Sequence, residues 1–164
     1  MNFDVLQRLQ SLQTQRPYLF LYALVDGAQY QTEFNQPLAP RPGHIALFDG
    51  TPDAPLAHAG PWLIDPQQLD ESERAELIHF EQATPGIIWL IALADLHGLA
   101  DLLRLRMDAR LPDGRKALLR FWDPRVLTGL VNILQPAQRE TLFGEIEEWH
   151  FMHQGQRVWI GRHA

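Results

Sequence analysis

Cysteine is absent from the chain, which excludes disulfide bridges, thiolate nucleophiles and cysteine-ligated zinc together. Serine is nearly as scarce, with Ser11 in an amphipathic stretch and Ser72 at a helix start. Neither sits on a glycine-flanked elbow, so nothing supports Ser-His-Asp hydrolysis. Lys116 is the single lysine, and the formal net charge is -6. Such a balance gives no electrostatic reason to approach a phosphate backbone, and nucleic acid is not an expected partner. Lys116 also follows a turn instead of a glycine-rich loop that opens a helix, so no phosphate cradle is expected. Long apolar runs are missing too, and membrane insertion is not expected. Asp4, Gln7, Arg8 and Gln10 interrupt the opening segment, which lacks the continuous apolar stretch of a secretory signal; the expected location is cytoplasmic.

What is present is ordinary for a globular protein: 164 residues, 46% hydrophobic and 21% charged. A domain of this size hides about 70% of the surface its unfolded chain would expose, enough for one core. A single domain over 1–164 is expected. The basic residues are almost all arginine, and Arg104, Arg106, Arg110, Arg115, Arg120 and Arg125 lie close together in sequence. Arginine grips carboxylates through a planar fork and stacks on aromatic rings, which suits a protein interface; a solvated face with internal ion pairs is the alternative.

Phe3, Leu6, Leu9 and Leu12 recur at helical spacing and predict an amphipathic helix over Asp4–Gln13, ended by Arg16-Pro17. The apolar run 18–24 has strand length and reads as a strand covered on both faces, with Asp26-Gly27 as its closing turn. Residues 36–66 are rich in proline and glycine, and short strands are expected at 44–48 and 63–64. A helix is expected over 71–82 behind Asp70 and Ser72, then a buried strand at 87–91. Asp95 opens the next helix, whose stripe is Leu96, Leu99 and Leu103. Gly98 within it costs about 1 kcal/mol relative to alanine, so either the early turn frays or something packs closely there, and close packing is the favoured reading.

A hairpin is expected with strands 107–111 and 115–122 about Pro112-Asp113-Gly114. Helices follow at 124–134 and from Pro136 to a stop at Gly144. A second hairpin, 146–151 with 158–160, turns at Gln154-Gly155 and carries Trp149 and Trp159. That order of elements gives an α+β single domain with a mixed β-sheet, packed helices and a C-terminal β-hairpin.

Candidate chemistry is thin. His150 and His153 would fall on opposite faces of a strand, and His44, His58, His79, His97 and His163 are scattered, so no metal site or cofactor is expected. Phe48-Asp49-Gly50-Thr51-Pro52-Asp53 resembles the haloacid dehalogenase motif, yet Leu47 occupies the place of its nucleophilic aspartate, and Asp49-Gly50 reads more simply as a turn. Glu145 and Glu147, beside Glu148, would share one strand face, as an acid/base pair or as edge charges that discourage aggregation. Asp26 and Asp123 both close expected strands; near one another, and paired with Arg120 or Arg125, they would form a cap and ion-pair network or a partner-binding rim.

The run from Leu118 to Leu127 is the most specific in the chain. It reads as a strand leading straight into a helix, with Asp123 as the structural cap and Pro124 at the first helical position. Its Arg120-Phe121-Trp122-Asp123-Pro124-Arg125 resembles the signature of the DUF4123 family, the adaptor chaperones of type VI secretion. Tyr22 to Ala28 resembles that family's opening strand and Asp-Gly-Ala turn, Pro61-Trp62-Leu63 and Trp89 its tryptophan landmarks, and Leu96 to Met107 its leucine-rich helix. The resemblance is strongest over 18–149. Gly98 departs from it, as does the short stretch after Trp149, where longer relatives carry a further lobe. The resemblance implies a non-catalytic protein that binds a cognate type VI effector in the cytoplasm and promotes its loading onto the spike protein. It also implies a partner-binding face, to which Arg120, Trp122 and Arg125 are assigned. An immunity protein or small regulatory binding protein with no loading role is the alternative reading; its gene would follow the toxin's and protect against it alone.

Overall fold

The computed structural model describes residues 3–110 and 113–161; Leu111 and Pro112 of the first expected hairpin, and His163, lie outside them. In chain order the elements are α1 (Asp4–Gln13), β1 (Phe20–Asp26), α2 (Gly27–Phe34), β2 (His44–Ala46), β3 (Pro61–Ile64), α3 (Glu71–Ala83) and β4 (Ile87–Ala92). Then come α4 (Leu96–Arg106), β5 (Asp108–Arg110), β6 (Lys116–Leu118), α5 (Pro124–Ile133), α6 (Pro136–Phe143), β7 (Glu148–His153) and β8 (Gln156–Gly161). Short 3₁₀ turns at Ala54–Ala59 and Pro66–Gln68 flank β3.

Six strands form one sheet in the order β2-β3-β1-β4-β7-β8, while β5 and β6 pair apart from it. This is the α+β domain expected, with its C-terminal hairpin; where the sequence reading has a mixed sheet, each described pairing is antiparallel. Successive residues of a strand face opposite sides, so the central strands feed two cores. Tyr22, Leu24, Ile88, Leu90, Trp149 and Phe151 pack under α4, α5 and α6. Ala23, Val25, Ile87, Trp89 and Ile91 pack under α1, α2 and α3. Every residue of β4 is therefore buried, which is why its sequence is a continuous apolar run instead of an alternation.

Local chemistry sets the element ends. Asp70 and Glu73 make a reciprocal capping box at α3, and Asp95 accepts from the Gly98 amide at α4. Gly98 is exposed, and the group a side chain there would crowd is the Asp95 cap at 3.0 Å, not a packed neighbour as expected. Asp26-Gly27 does not close a turn but starts α2: the Asp26 carboxylate caps Ala28 and Gln29. Gly27 is needed there because a β-carbon would lie 2.4 Å from the His58 carbonyl oxygen and 2.6 Å from that of Gly60. The β7–β8 hairpin turns through Gln154 and Gly155, both at positive φ (52° and 77°), the pairing of conformations a two-residue hairpin requires.

Candidate functional site

The segment after β6 keeps its hairpin partner for one more residue and then leaves the strand. Leu119 donates to the Met107 carbonyl at 2.6 Å, Phe121 to that of Leu119 at 3.0 Å, and Asp123 to that of Arg120 at 3.2 Å. This tight double bend turns Phe121 and Trp122 inward together, whereas the alternation expected of a strand over 115–122 would part them. Apolar burial explains the difference, since two adjacent aromatic rings reach one core only if the backbone turns between them. The result is a chain of edge-to-face contacts: Phe48 to Trp122 at 5.7 Å, Trp122 to Phe121 at 5.5 Å, Phe121 to Trp149 at 5.9 Å and Trp149 to Phe143 at 5.4 Å.

Arg120 and Arg125 remain outside, so of the three residues assigned to a partner face these two reach solvent and Trp122 does not. Asp123 is buried and caps α5 as expected, its Oδ1 accepting from the Arg125 amide at 2.9 Å, with Pro124 next to it at the first helical position. The same carboxylate holds the Arg125 side chain, through Nε at 3.1 Å and Nη2 at 3.0 Å. Asp26 feels the charges of Asp123 and Arg120, but its carboxylate is held by the Ala28 and Gln29 amides, and the ion pair found among these residues is that of Arg125 with Asp123. Burial pushes the Asp26 carboxyl up and Asp123 adds to this; the Gln29 and Ala28 amides and Arg120 pull the other way. Arg125 also borders a hollow of about 360 Å³ with Thr84, Pro85, Met152 and Gln154 on its walls.

A second cluster escapes a reading of the sequence. β7 lies between β4 and β8, so Glu148 is an interior residue and not an edge charge. It accepts from Arg8 of α1 through Nε at 3.0 Å and Nη2 at 2.7 Å, and shares a 2.8 Å contact with His150 Nε2. His150 stacks on Trp159, with ring centroids 5.8 Å apart, and Arg8 lies over the same indole. Glu145 and Glu147 precede the strand and share no face of it; they pair with Arg106 at 3.8 Å and with Arg16. The partners are far apart in sequence, and a sequence pattern carries no sign of that pairing. His150 and His153 fall on opposite faces, and no group of three or more acidic or histidine side chains among the described residues could hold a metal ion. No described helix is long and apolar enough to cross a membrane.

Burial holds the His150 pKa below its usual 6.5 against the opposing pull of Glu148. Burial alone would raise Glu148, but hydrogen bonds from Arg8 and His150 outweigh it and hold the carboxyl below 4.5. In both cases the unfolded chain takes up the proton first as pH falls, so both contributions are present at neutral pH and lost on acidification. Urea unfolding is expected to show stability falling below about pH 6.5 through His150, and more steeply below about 4.5 as Glu148 joins, each group adding at most about 1.4 kcal/mol per pH unit. His44, which burial also holds down, adds to the upper limb; Asp26, raised, works against the lower one. A His150→Gln variant with the wild-type slope between pH 6.5 and 5 would refute this assignment.

Residues 21–141 match the family described as "Domain of unknown function (DUF4123)". No curated protein matches the chain, and no solved structure does. The matched region runs from β1 through the capped corner and into α6, and it contains Asp26, both landmark tryptophans Trp62 and Trp89, and the whole Arg120 to Arg125 signature. With most of its length inside that match, the chain belongs to the DUF4123 family.

Proposed function

We propose that this protein is an adaptor chaperone of type VI secretion, which binds a cognate effector in the cytoplasm without chemical change and promotes its loading onto the spike protein. The observation that carries the reading is how the family signature divides: Phe121 and Trp122 anchor the segment in the core while Arg120 and Arg125 stand outside it. Two guanidinium groups on a rigid support, one of them oriented by a buried carboxylate, suit recognition of carboxylates on another polypeptide. A binding role of this kind draws on position and charge and needs no nucleophile or general base.

Co-expression with the effector encoded beside its gene tests this. Wild-type protein is expected to co-purify with the effector, Arg125→Ala to bind several-fold less with a thermal midpoint close to wild type, and Arg125→Glu at least tenfold less per folded protein with a lowered midpoint, since its carboxylate would face buried Asp123. The Asp123 cap persists in both variants because it uses the backbone amide at position 125. Equal recovery of effector by all three proteins would remove Arg125 from the contact face.

A further inference from the structure

On the α1 face a groove of about 400 Å³ runs between α1 and α3, with Leu6, Leu9, Phe20, Leu77 and Ile78 on its walls and Trp89 at its base. The base is rigid: Trp89 Nε1 donates to Glu81 at 2.8 Å, and Phe3 packs edge-on against the indole at 4.9 Å. The mouth is apolar and open to solvent, since Leu6 and Phe20 are 38% and 39% exposed. Tyr18, two residues before Phe20, is exposed as well. Apolar ground of this kind on a small soluble domain marks a place where something binds.

We infer that this groove receives an amphipathic helix of the effector, with apolar side chains one turn apart in the groove and a lysine or arginine beside them opposite Glu71; the inference rests on the adaptor reading above. The walls decide the form of the ligand. α1 and α3 use their backbone groups internally; β1, the nearest strand, pairs with β4 over Phe20–Val25 and with β3 over Ala23–Asp26, and the Pro66–Gln68 turn lies beside its remaining edge, which leaves no room for an added strand. Helix-in-groove binding remains, and the space holds roughly two or three large side chains. Charge decides the flank. Glu71 at the rim has no hydrogen-bond or ion-pair partner among the described residues, while Arg74 Nη1 is engaged by the carbonyls of Leu69 at 2.8 Å and Pro66 at 3.3 Å. On a chain of net charge -6 the free carboxylate favours a basic segment.

The test uses the full chain, the neighbouring effector and the neutral dye Nile red. Wild-type protein is expected to bind the dye with a blue-shifted emission and to release it when effector is added. Leu6→Glu, at a partly exposed position, should weaken dye and effector alike by at least tenfold; Ile78→Glu repeats the test from the other wall. Glu71→Lys should weaken the effector severalfold and leave the uncharged dye untouched. Effector bound as tightly by Leu6→Glu and Ile78→Glu as by wild type, or dye retained in the effector complex, overturns the groove assignment and leaves the adaptor reading standing. Wild-type protein that binds no effector overturns both.

Discussion

Trp122→Ala is expected to lower the free energy of unfolding by about 3–5 kcal/mol, a large share of the 5–15 kcal/mol that holds a domain of this kind together. The ring is 2% exposed and touches Phe48 and Phe121 edge-on, so its removal deletes contacts on two sides and leaves a void that its rigid aromatic neighbours cannot close. Phe121 in turn bears on Trp149, which extends the damage towards β7. Arg125→Ala, three residues on, makes the informative comparison. Its side chain is 58% exposed, and although Asp123 is only 5% exposed, its carboxylate keeps the backbone amide of residue 125 and gains water where the guanidinium stood, so about 1–2 kcal/mol should be lost. Urea unfolding of the two variants side by side separates support from recognition within one signature. A Trp122→Ala loss below about 1 kcal/mol would mean that the ring is not the core element described. Effector binding lost only in proportion to unfolding would fit a supporting role, and Trp122→Phe should restore much of both.

The parts of this fold that were legible were those in which a local pattern and its burial coincide. α1 appears where Phe3, Leu6, Leu9 and Leu12 place it, and β1 and β4 are unbroken apolar runs because helices cover both faces of the sheet. α2 was hidden because Asp26-Gly27 carries the composition of a turn. The sign that could have revealed it is Tyr30 and Phe34, one helical turn apart, whose rings lie 4.5 Å from each other and both bear on Phe80. At the signature the alternation of Arg120, Phe121 and Trp122 was misleading, because a turn can bury neighbours that a strand must separate. The Asp123 cap was readable from three residues, being local chemistry. The pairings of Arg8 with Glu148 and of Arg157 with Asp4 were not, since they join the two ends of the chain and become neighbours only after the sheet has formed.

Arg157→Ala is expected to cost about 3–5 kcal/mol, because it leaves the Glu81 carboxylate buried with its counter-charge gone. Arg157 sits on β8 and donates through Nη1 and Nη2 to both Glu81 oxygens at 2.7 Å, and through Nε and Nη2 to Asp4 of α1 at 2.9 and 3.0 Å. Burial opposes its charge, yet hydrogen bonds to Glu81 and Asp4 more than offset that and push its pKa above the usual arginine range. The Glu81 side chain is 1% exposed, so water cannot take the place of the lost guanidinium; that of Asp4 is 57% exposed, and Asp4→Ala should cost less than about 1 kcal/mol. Glu81 has a further duty, since its Oε2 also accepts from Trp89 Nε1. Replacing the pair by apolar groups alone would strand that indole N–H at about 1–3 kcal/mol. Arg157→Met combined with Glu81→Gln removes both charges and keeps an acceptor for Trp89, and it should recover most of what Arg157→Ala loses. Urea unfolding at pH 7 of the single and double variants tests the argument as a cycle. Arg157→Met alone keeps the packing of the stem without its charge and should lose nearly as much as Arg157→Ala; a small loss there would show that packing by the arginine stem, not the unpaired carboxylate, sets the cost. Because Trp89 forms the base of the groove between α1 and α3, the same variants carry the effect of this ion pair to that surface: Arg157→Ala should loosen Nile red binding, and the double variant should restore it.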